Sequence, residues 1–175
     1  MSTTKWIIDP THSEVSFKVK HLVISTVTGY FREFEGVAEV GSDDFSDAKI
    51  DFKAEVSSID TNQSDRDAHL KSADFFDAEK HPHLRLSNAR LTKNGSGYKV
   101  LGDLTIKDIT KPVELEAEWG GVAEDGYGQV KAGFDLQGKI SRKAFGLTWS
   151  AVTEAGSVVV GDEVRLLASV QLVKQ

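Results

Sequence analysis

The sequence predicts an all-β protein, an eight-stranded antiparallel up-and-down barrel with a short helical excursion at about 64–80 over one end. Three observations predict it. Apolar and polar residues alternate with period two along most of the chain, the mark of strands with one wet face. No helix between these stretches is long enough for a parallel crossover, so sequential antiparallel pairing is the simplest topology. The stretches number eight, and eight antiparallel strands close a small barrel.

Taken in order, Trp6, Ile7 and Ile8 make a short apolar start that Pro10 interrupts. Val15, Phe17 and Val19 then alternate with Glu14, Ser16, Lys18 and Lys20, and His21 falls on the apolar face. A second strand, at about 29–40, sets Phe34, Ala38 and Val40 against Glu33, Glu35 and Glu39. In the third, Ile50, Phe52, Ala54 and Val56 alternate with Lys49, Asp51, Lys53 and Glu55. At 64–76 the period changes. Ser64 is expected to cap a helix, with Asp67 three residues on in a near capping-box arrangement. Ser72 is expected to cap a second short helix that runs through Phe75 and Phe76 until His81-Pro82 stops it. Arg66 and His69, three apart, share a helical face. The fourth strand, 83–89, carries Leu84 and Leu86 and is followed by the hairpin signal Asn94-Gly95. Val100, Leu104 and Ile106 mark the fifth strand; Val113, Leu115, Ala117 and Trp119 mark the sixth. Gly120-Gly121 and residues 126–128 bracket a turn into the seventh, with Val130, Ala132, Phe134, Leu136 and Ile140. The eighth carries Val164, Leu166, Ala168, Val170 and Leu172.

At 175 residues the chain reads as one domain, 1–175, long enough to bury a sizeable core. A formal net charge of -6 argues against a broad electrostatic footprint on nucleic acid or anionic membrane. The absence of Cys excludes disulfides, thiolate metal sites and Cys nucleophiles. The N-terminus has no long apolar run, which predicts neither a signal peptide nor a membrane span and places the protein in the cytoplasm. A membrane barrel would show the same alternation, but with aromatic girdles at two levels that are missing here.

Up-and-down topology sorts the connections between two ends. Those near 41–47, 91–97 and 120–128 are compact and share one end. Those near 22–28, 58–82, 107–111 and 141–162 share the other, and two of them are far longer than a hairpin needs, as functional loops tend to be. His21, Arg66, Asp67, His69, Lys111 and Arg142 lie in or beside this second end, which reads as a mouth. The inward face mixes bulky residues with small ones such as Gly36, Ala38, Ala54, Gly102, Ala117, Ala132 and Ala168. Either the small residues leave a tunnel, or large and small interlock and fill the barrel. A tunnel would be greasy, with any polar head of its ligand at the mouth.

Residues from end to end resemble a known family. They are Trp6-Ile-Ile-Asp9, His12-Ser-Glu-Val-Ser-Phe17, His21-Leu22, Val27-Thr-Gly-Tyr-Phe31, Thr61, Arg66-Asp-Ala-His-Leu70, Asp74-Phe-Phe-Asp77, Pro82, Gly102-Asp-Leu-Thr-Ile106, Arg142-Lys-Ala-Phe-Gly146 and Val160-Gly-Asp-Glu-Val164. In this order they resemble the YceI-like polyisoprenoid-binding proteins, which have a lipocalin-like β-barrel. The strand after Pro82 carries Leu86 where the family usually has Phe, a change that bears on cavity width. The resemblance implies a long isoprenoid or isoprenoid-quinone-like lipid inside the barrel, a homodimer and a stress-associated role. Cavity positions would be Phe17, Val19, Phe34, Phe52, Leu104 and Phe134, joined by Ala54 on the same face; mouth positions would be His21, Arg66, Asp67, His69 and Arg142.

Both arginines suit a head-group oxygen, or one of them pairs with Asp67 and ties the helix to the rim. His21 either donates to a head group or is satisfied by nearby backbone. His81-Pro-His83, even with His69, is no zinc signature, so no metal or other cofactor is expected. Asp67 and His69 diverge on a helix and no nucleophile motif is present, so a binding protein is expected rather than an enzyme. The expected role is a soluble carrier, store or sequestering protein. The alternatives are a head-group-modifying enzyme using His21, Asp67 and His69, and a stress-associated structural dimer with a filled barrel.

Overall fold

Alternation with period two gives each strand one face that must leave water, and a closed ring lets every strand bury that face at once. A computed structural model describes residues 3–22, 24–41, 45–95, 97–148 and 160–175. Its strands are β1 (Thr4–Ile8), β2 (Glu14–His21), β3 (Ser25–Phe31), β4 (Phe34–Val40), β5 (Lys49–Glu55), β6 (Ile59–Asp60), β7 (His83–Asn94), β8 (Gly97–Ile106), β9 (Ile109–Glu124), β10 (Val130–Ser141) and β11 (Val160–Lys174). Among the described residues one α-helix, α1 (Ser64–Lys71), interrupts them. Every pairing is antiparallel, and β1 and β2 both pair with β11 to close the ring.

Eleven segments make eight barrel strands because three strands are broken. β11 pairs with β2 through its first part and with β1 through its last residues. β1 and β2 are therefore two parts of one strand, as are β3 and β4, which pair with them. The apolar start at Trp6–Ile8 is thus part of the barrel wall. Pro10 breaks this first strand into a single 3-10 turn. The Asp9 carboxylate caps that turn, accepting from the Thr11 N–H at 3.1 Å and its hydroxyl at 2.7 Å. β5 and β6 are separated by a second 3-10 turn, Val56–Ser58.

Three local expectations change. Gln63, not Ser64, caps α1, its side chain accepting from the Arg66 N–H at 2.9 Å. Ser72 ends α1, and the residues after it form turns in place of a second helix. Gly120-Gly121 is an irregularity inside β9, which runs on to Glu124, and the turn follows at Asp125, whose carboxylate accepts from the N–H groups of Tyr127 and Gln129. β7 also outruns its expected end. A bulge between Ser87 and Arg90, with Asn88 at φ 51, shifts the inward set from Leu84 and Leu86 to Ala89 and Leu91.

The apolar face lies inward. Charges lie outside, in pairs such as Lys53–Glu35 at 2.9 Å and Lys99–Glu114 at 2.8 Å. That is the inverse of a membrane barrel's apolar belt, and among the described residues no helix is long and apolar enough to cross a membrane. The buried residues form two clusters. One closes the compact-turn end with Trp6, Phe45, Tyr98 and Phe134. The other lies under the long connections, with Phe31, Ile59, Phe75, Phe76, Ile106 and Phe145.

Candidate ligand cavity and its mouth

Between the two clusters runs a cavity of about 560 Å³, within the usual range for small-molecule sites. It reaches from Phe45 and Ala48 at the closed end to Thr61, Arg66 and His69 at the other. A second concavity, of about 580 Å³, lies among outward residues such as Glu116, Glu118, Asp135 and Gln137. Its lining mixes these charged side chains with Tyr98, Leu136 and Leu167, so the almost wholly apolar interior space is the candidate site.

Of the expected wall positions, Phe17, Val19, Phe52, Leu104 and Phe134 line the cavity. Gly29 makes room for the first: a Cβ there would come within 2.2 Å of the Phe17 ring. Phe34 and Ala54 do not line it. The Phe34 ring packs on Phe52 at 6.1 Å between centroids, and Ala54 is wholly enclosed within the mouth-side cluster. Leu86, the departure from the family pattern, does lie on the wall.

Of the mouth group, His21, Arg66, His69 and Arg142 line the cavity and Asp67 does not. Asp67 instead grips Thr61, its carboxylate accepting from the Thr61 N–H at 2.8 Å and from the Thr61 hydroxyl. Arg66 grips the same residue from the other side, with Nε donating to Thr61 Oγ1 at 2.7 Å and Nη2 to the Thr61 carbonyl. Arg66 and Asp67 are thus joined through Thr61, which is only 3% exposed. Arg66 Nη1 makes no hydrogen bond among the described residues and stays available to the cavity.

Arg142 sits differently. Only 3% of it is exposed. It donates to the carbonyls of Gly161 (2.8 Å), Leu147 (2.7 Å) and Val160 (3.1 Å), tying β10's end to β11's start. Burial pushes its pKa down from the usual guanidinium value, and the Asp162 charge opposes that.

His69 Nε2 lies 2.9 Å from Asp74 Oδ2, and its ring meets Phe75 edge-on at 5.2 Å. The His21 imidazole makes no hydrogen bond among the described residues. The mouth therefore offers donors from Arg66 and His21, with the Asp65 carboxylate also on the lining. Among the described residues, no group of three or more His, Asp or Glu side chains is placed to hold a metal ion.

Sequence reasoning passed over several lining residues. Phe45 turns inward from a connection rather than a strand, so alternation carries no signal for it. Thr61 stood among the family-matching residues without an assigned role. Leu70, Phe75 and Phe76 were legible only as an apolar patch on the helical excursion.

The YceI-like domain model matches residues 6–172. The chain belongs to the YceI family. A UPF0312 protein of Serratia proteamaculans is 37% identical over 163 residues, covering 93% of this chain and 82% of the relative. Protein YceI of Escherichia coli O157:H7 is 35% identical over 164 residues, covering 94% and 83%. The Campylobacter jejuni YceI protein superposes with a TM-score of 0.72 at 32% identity, covering 89% of this chain and 90% of that one. Burkholderia cenocepacia BcnA shares the fold, with a TM-score of 0.78, 23% identity and coverage of 94% and 98%. So does a polyisoprenoid binding domain from Saccharophagus degradans implicated in plant cell wall breakdown, with a TM-score of 0.67, 11% identity and coverage of 97% and 98%. These YceI barrels place the chain's fold and family together.

Proposed function

We propose that this YceI-family protein holds a long apolar amphiphile of the isoprenoid class inside its barrel and serves as a soluble carrier, store or sequestering protein. One observation carries the reading: a continuous apolar cavity of about 560 Å³ that ends among polar side chains at one end only. A hydrocarbon chain gains free energy by leaving water for such a wall, whereas a polar group there would lose its hydrogen bonds. The chain of the ligand therefore lies along Phe17, Phe52, Leu104 and Phe134. An oxygen of its head accepts from Arg66 Nη1 or the His21 imidazole. Arg66 is oriented for this because Thr61 fixes two of its nitrogens. The Saccharophagus degradans domain, with the same fold and a polyisoprenoid ligand class, supports the choice of isoprenoid. A homodimer, a cytoplasmic location and a link to stress complete the proposal; light scattering and cell fractionation test the first two.

Native mass spectrometry of protein purified without detergent, then organic extraction, tests the reading. The expected result is a discrete adduct whose extracted mass fits an isoprene series. A clean apo mass, together with no binding of a short-chain isoprenoid quinone on titration, would overturn it.

A further inference from the structure

The β2–β3 hairpin ends the barrel wall beside the mouth. His21 and Ser25 are the last cross-strand pair, and His21 lines the cavity. Between them the sequence runs Leu22-Val-Ile24, three apolar residues in succession, of which the structure describes Leu22 and Ile24. Tips of this kind ordinarily carry Gly, Asn or Asp, and consecutive exposed apolar residues are a defect unless they have a use. Of the two tip residues the structure describes, Leu22 is partly exposed and Ile24 largely so. Leu22 adopts φ 54, a left-handed conformation that costs a branched residue more than Gly or Asn. Ile24 is 83% exposed. Its N–H donates to the His21 carbonyl at 3.2 Å, so the exposed side chain stands on a fixed turn.

We propose that this tip is a docking point that dips into the surface of a lipid bilayer and sets the mouth of the cavity against the membrane. The inference rests on the carrier reading. A long apolar chain cannot cross free water quickly, so a carrier of such chains needs its opening at the lipid surface. The tip is continuous with that opening through His21 and with Val160, which pairs with His21 on β11. Among the described residues four large apolar side chains are markedly exposed: Ile24, Leu101, Val122 and Tyr127. Ile24 alone of them stands at the mouth. Leu101 and Val122 lie on strands, and Tyr127 lies in the β9–β10 turn at the closed end. Docking is apolar rather than electrostatic. The net charge of -6 disfavours attraction to anionic lipid. Of the exposed lysines at this end, Lys143 already faces an acidic neighbour, Asp162.

Transfer kinetics test this. Vesicles of phosphatidylcholine carrying a fluorescent isoprenoid amphiphile are mixed with the protein, and the transfer rate is followed against vesicle concentration. With docking, the rate rises with vesicle concentration. Ile24→Asp is expected to slow transfer about tenfold, since it removes one large apolar insertion. Tyr127→Asp, which changes an equally bare side chain at the far end, leaves the rate alone. Equilibrium binding of a water-soluble short-chain quinone is unchanged in both variants, so loss of docking is distinguished from loss of the carrier site. A rate independent of vesicle concentration overturns the proposal. So does an unaltered rate in Ile24→Asp, and so does transfer that occurs only when phosphatidylglycerol is mixed in. Self-association that Ile24→Asp abolishes, without any vesicle dependence, would assign the tip to a second copy of the chain and equally overturn it.

Discussion

The two mouth arginines are expected to separate into a structural residue and a ligand-binding one. Arg142→Met removes three donors from the carbonyls of Leu147, Val160 and Gly161. A buried acceptor left unpaired costs about 1–3 kcal/mol, and breaking a buried charged arrangement about 3–5 kcal/mol in all. Two of these carbonyls belong to half-buried residues that water can partly reach, so about 3–5 kcal/mol is the working figure here too. In a chain of this length each kcal/mol moves Tm by about 2–4 °C, so the loss is about 10 °C. Arg142→Lys recovers little, because one ammonium cannot span three carbonyls. Arg66→Met removes two bonds to Thr61, whose hydroxyl keeps Asp67 as its partner. That costs about 1–2 kcal/mol of stability. Its effect on ligand is larger: losing a charged donor to the head group costs about 1.5–3 kcal/mol, or about 10- to 100-fold in Kd. Thermal melts and quinone titrations, compared at equal folded fraction, read both numbers. A Tm within two or so degrees of wild type for Arg142→Met would refute the structural assignment. Wild-type affinity in Arg66→Met would refute the mouth assignment.

Three further outcomes are expected. Ala168 lines the cavity, so Ala168→Phe fills it: the far-ultraviolet circular dichroism stays native while the extracted adduct disappears. A charge at Ala54 would not serve this purpose, because that residue is enclosed in protein and Ala54→Asp is expected to unfold the barrel. Phe134 is 5% exposed and packs 5.4 Å from the Phe45 ring, so Phe134→Ala costs about 3–5 kcal/mol in urea unfolding and lengthens the blind end, moving the extracted ligand towards longer chains. The Thr11 hydroxyl and then His12, helped less by the Thr11 N–H and Lys131, hold the Asp9 carboxyl well below the usual carboxylate range, against the opposing effect of burial. The folded value is the depressed one, so this contribution is complete above about pH 4 and fades as acid protonates the unfolded chain first. Asp9→Asn should lower stability at pH 7 more than at pH 3 in urea titrations; an equal loss at both would remove the carboxylate from the account.

Alternation made the eight strands and the mouth end legible because period two records which side of a strand meets water. It records nothing about a residue that reaches the core from a turn. Phe45 does so with φ 63 and is 2% exposed, plugging the closed end from within a connection that reads as a short loop. The capping of α1 was misread for a related reason. Ser64 and Asp67 have the residue types of a capping box, but Asp67 is engaged by the N–H and hydroxyl of Thr61, and the longer Gln63 reaches the Arg66 N–H instead. The wall positions at Phe34 and Ala54 share the correct face of their strands. Facing inward is not the same as meeting the cavity where Phe75, Phe76 and Leu84 crowd the interior.

The choice between a hollow and a filled barrel could not be made from residue sizes, and the structure explains why. Ala54, Ala117 and Ala132 are at most 6% exposed and absent from the lining. They accommodate neighbours: Ala132 and Ala117 belong to the cluster of Trp6, Phe45, Tyr98 and Phe134. Gly102 does the same for β7, where a Cβ would meet Ala89 at 2.7 Å. Gly36, Ala38 and Ala168 do reach the cavity, but so do many larger side chains, including Val19, Leu86 and Leu166. Val19, Leu86 and Leu166 remain partly accessible although they point inward. The cavity is therefore not a row of missing side chains. Aromatic residues gather in the clusters at both ends, and Phe17 and Phe52 share the wall between with half-buried aliphatic side chains. On the proposed reading a bound hydrocarbon chain covers these half-buried Leu and Val side chains, and hydrogen-exchange protection should rise most on their strands.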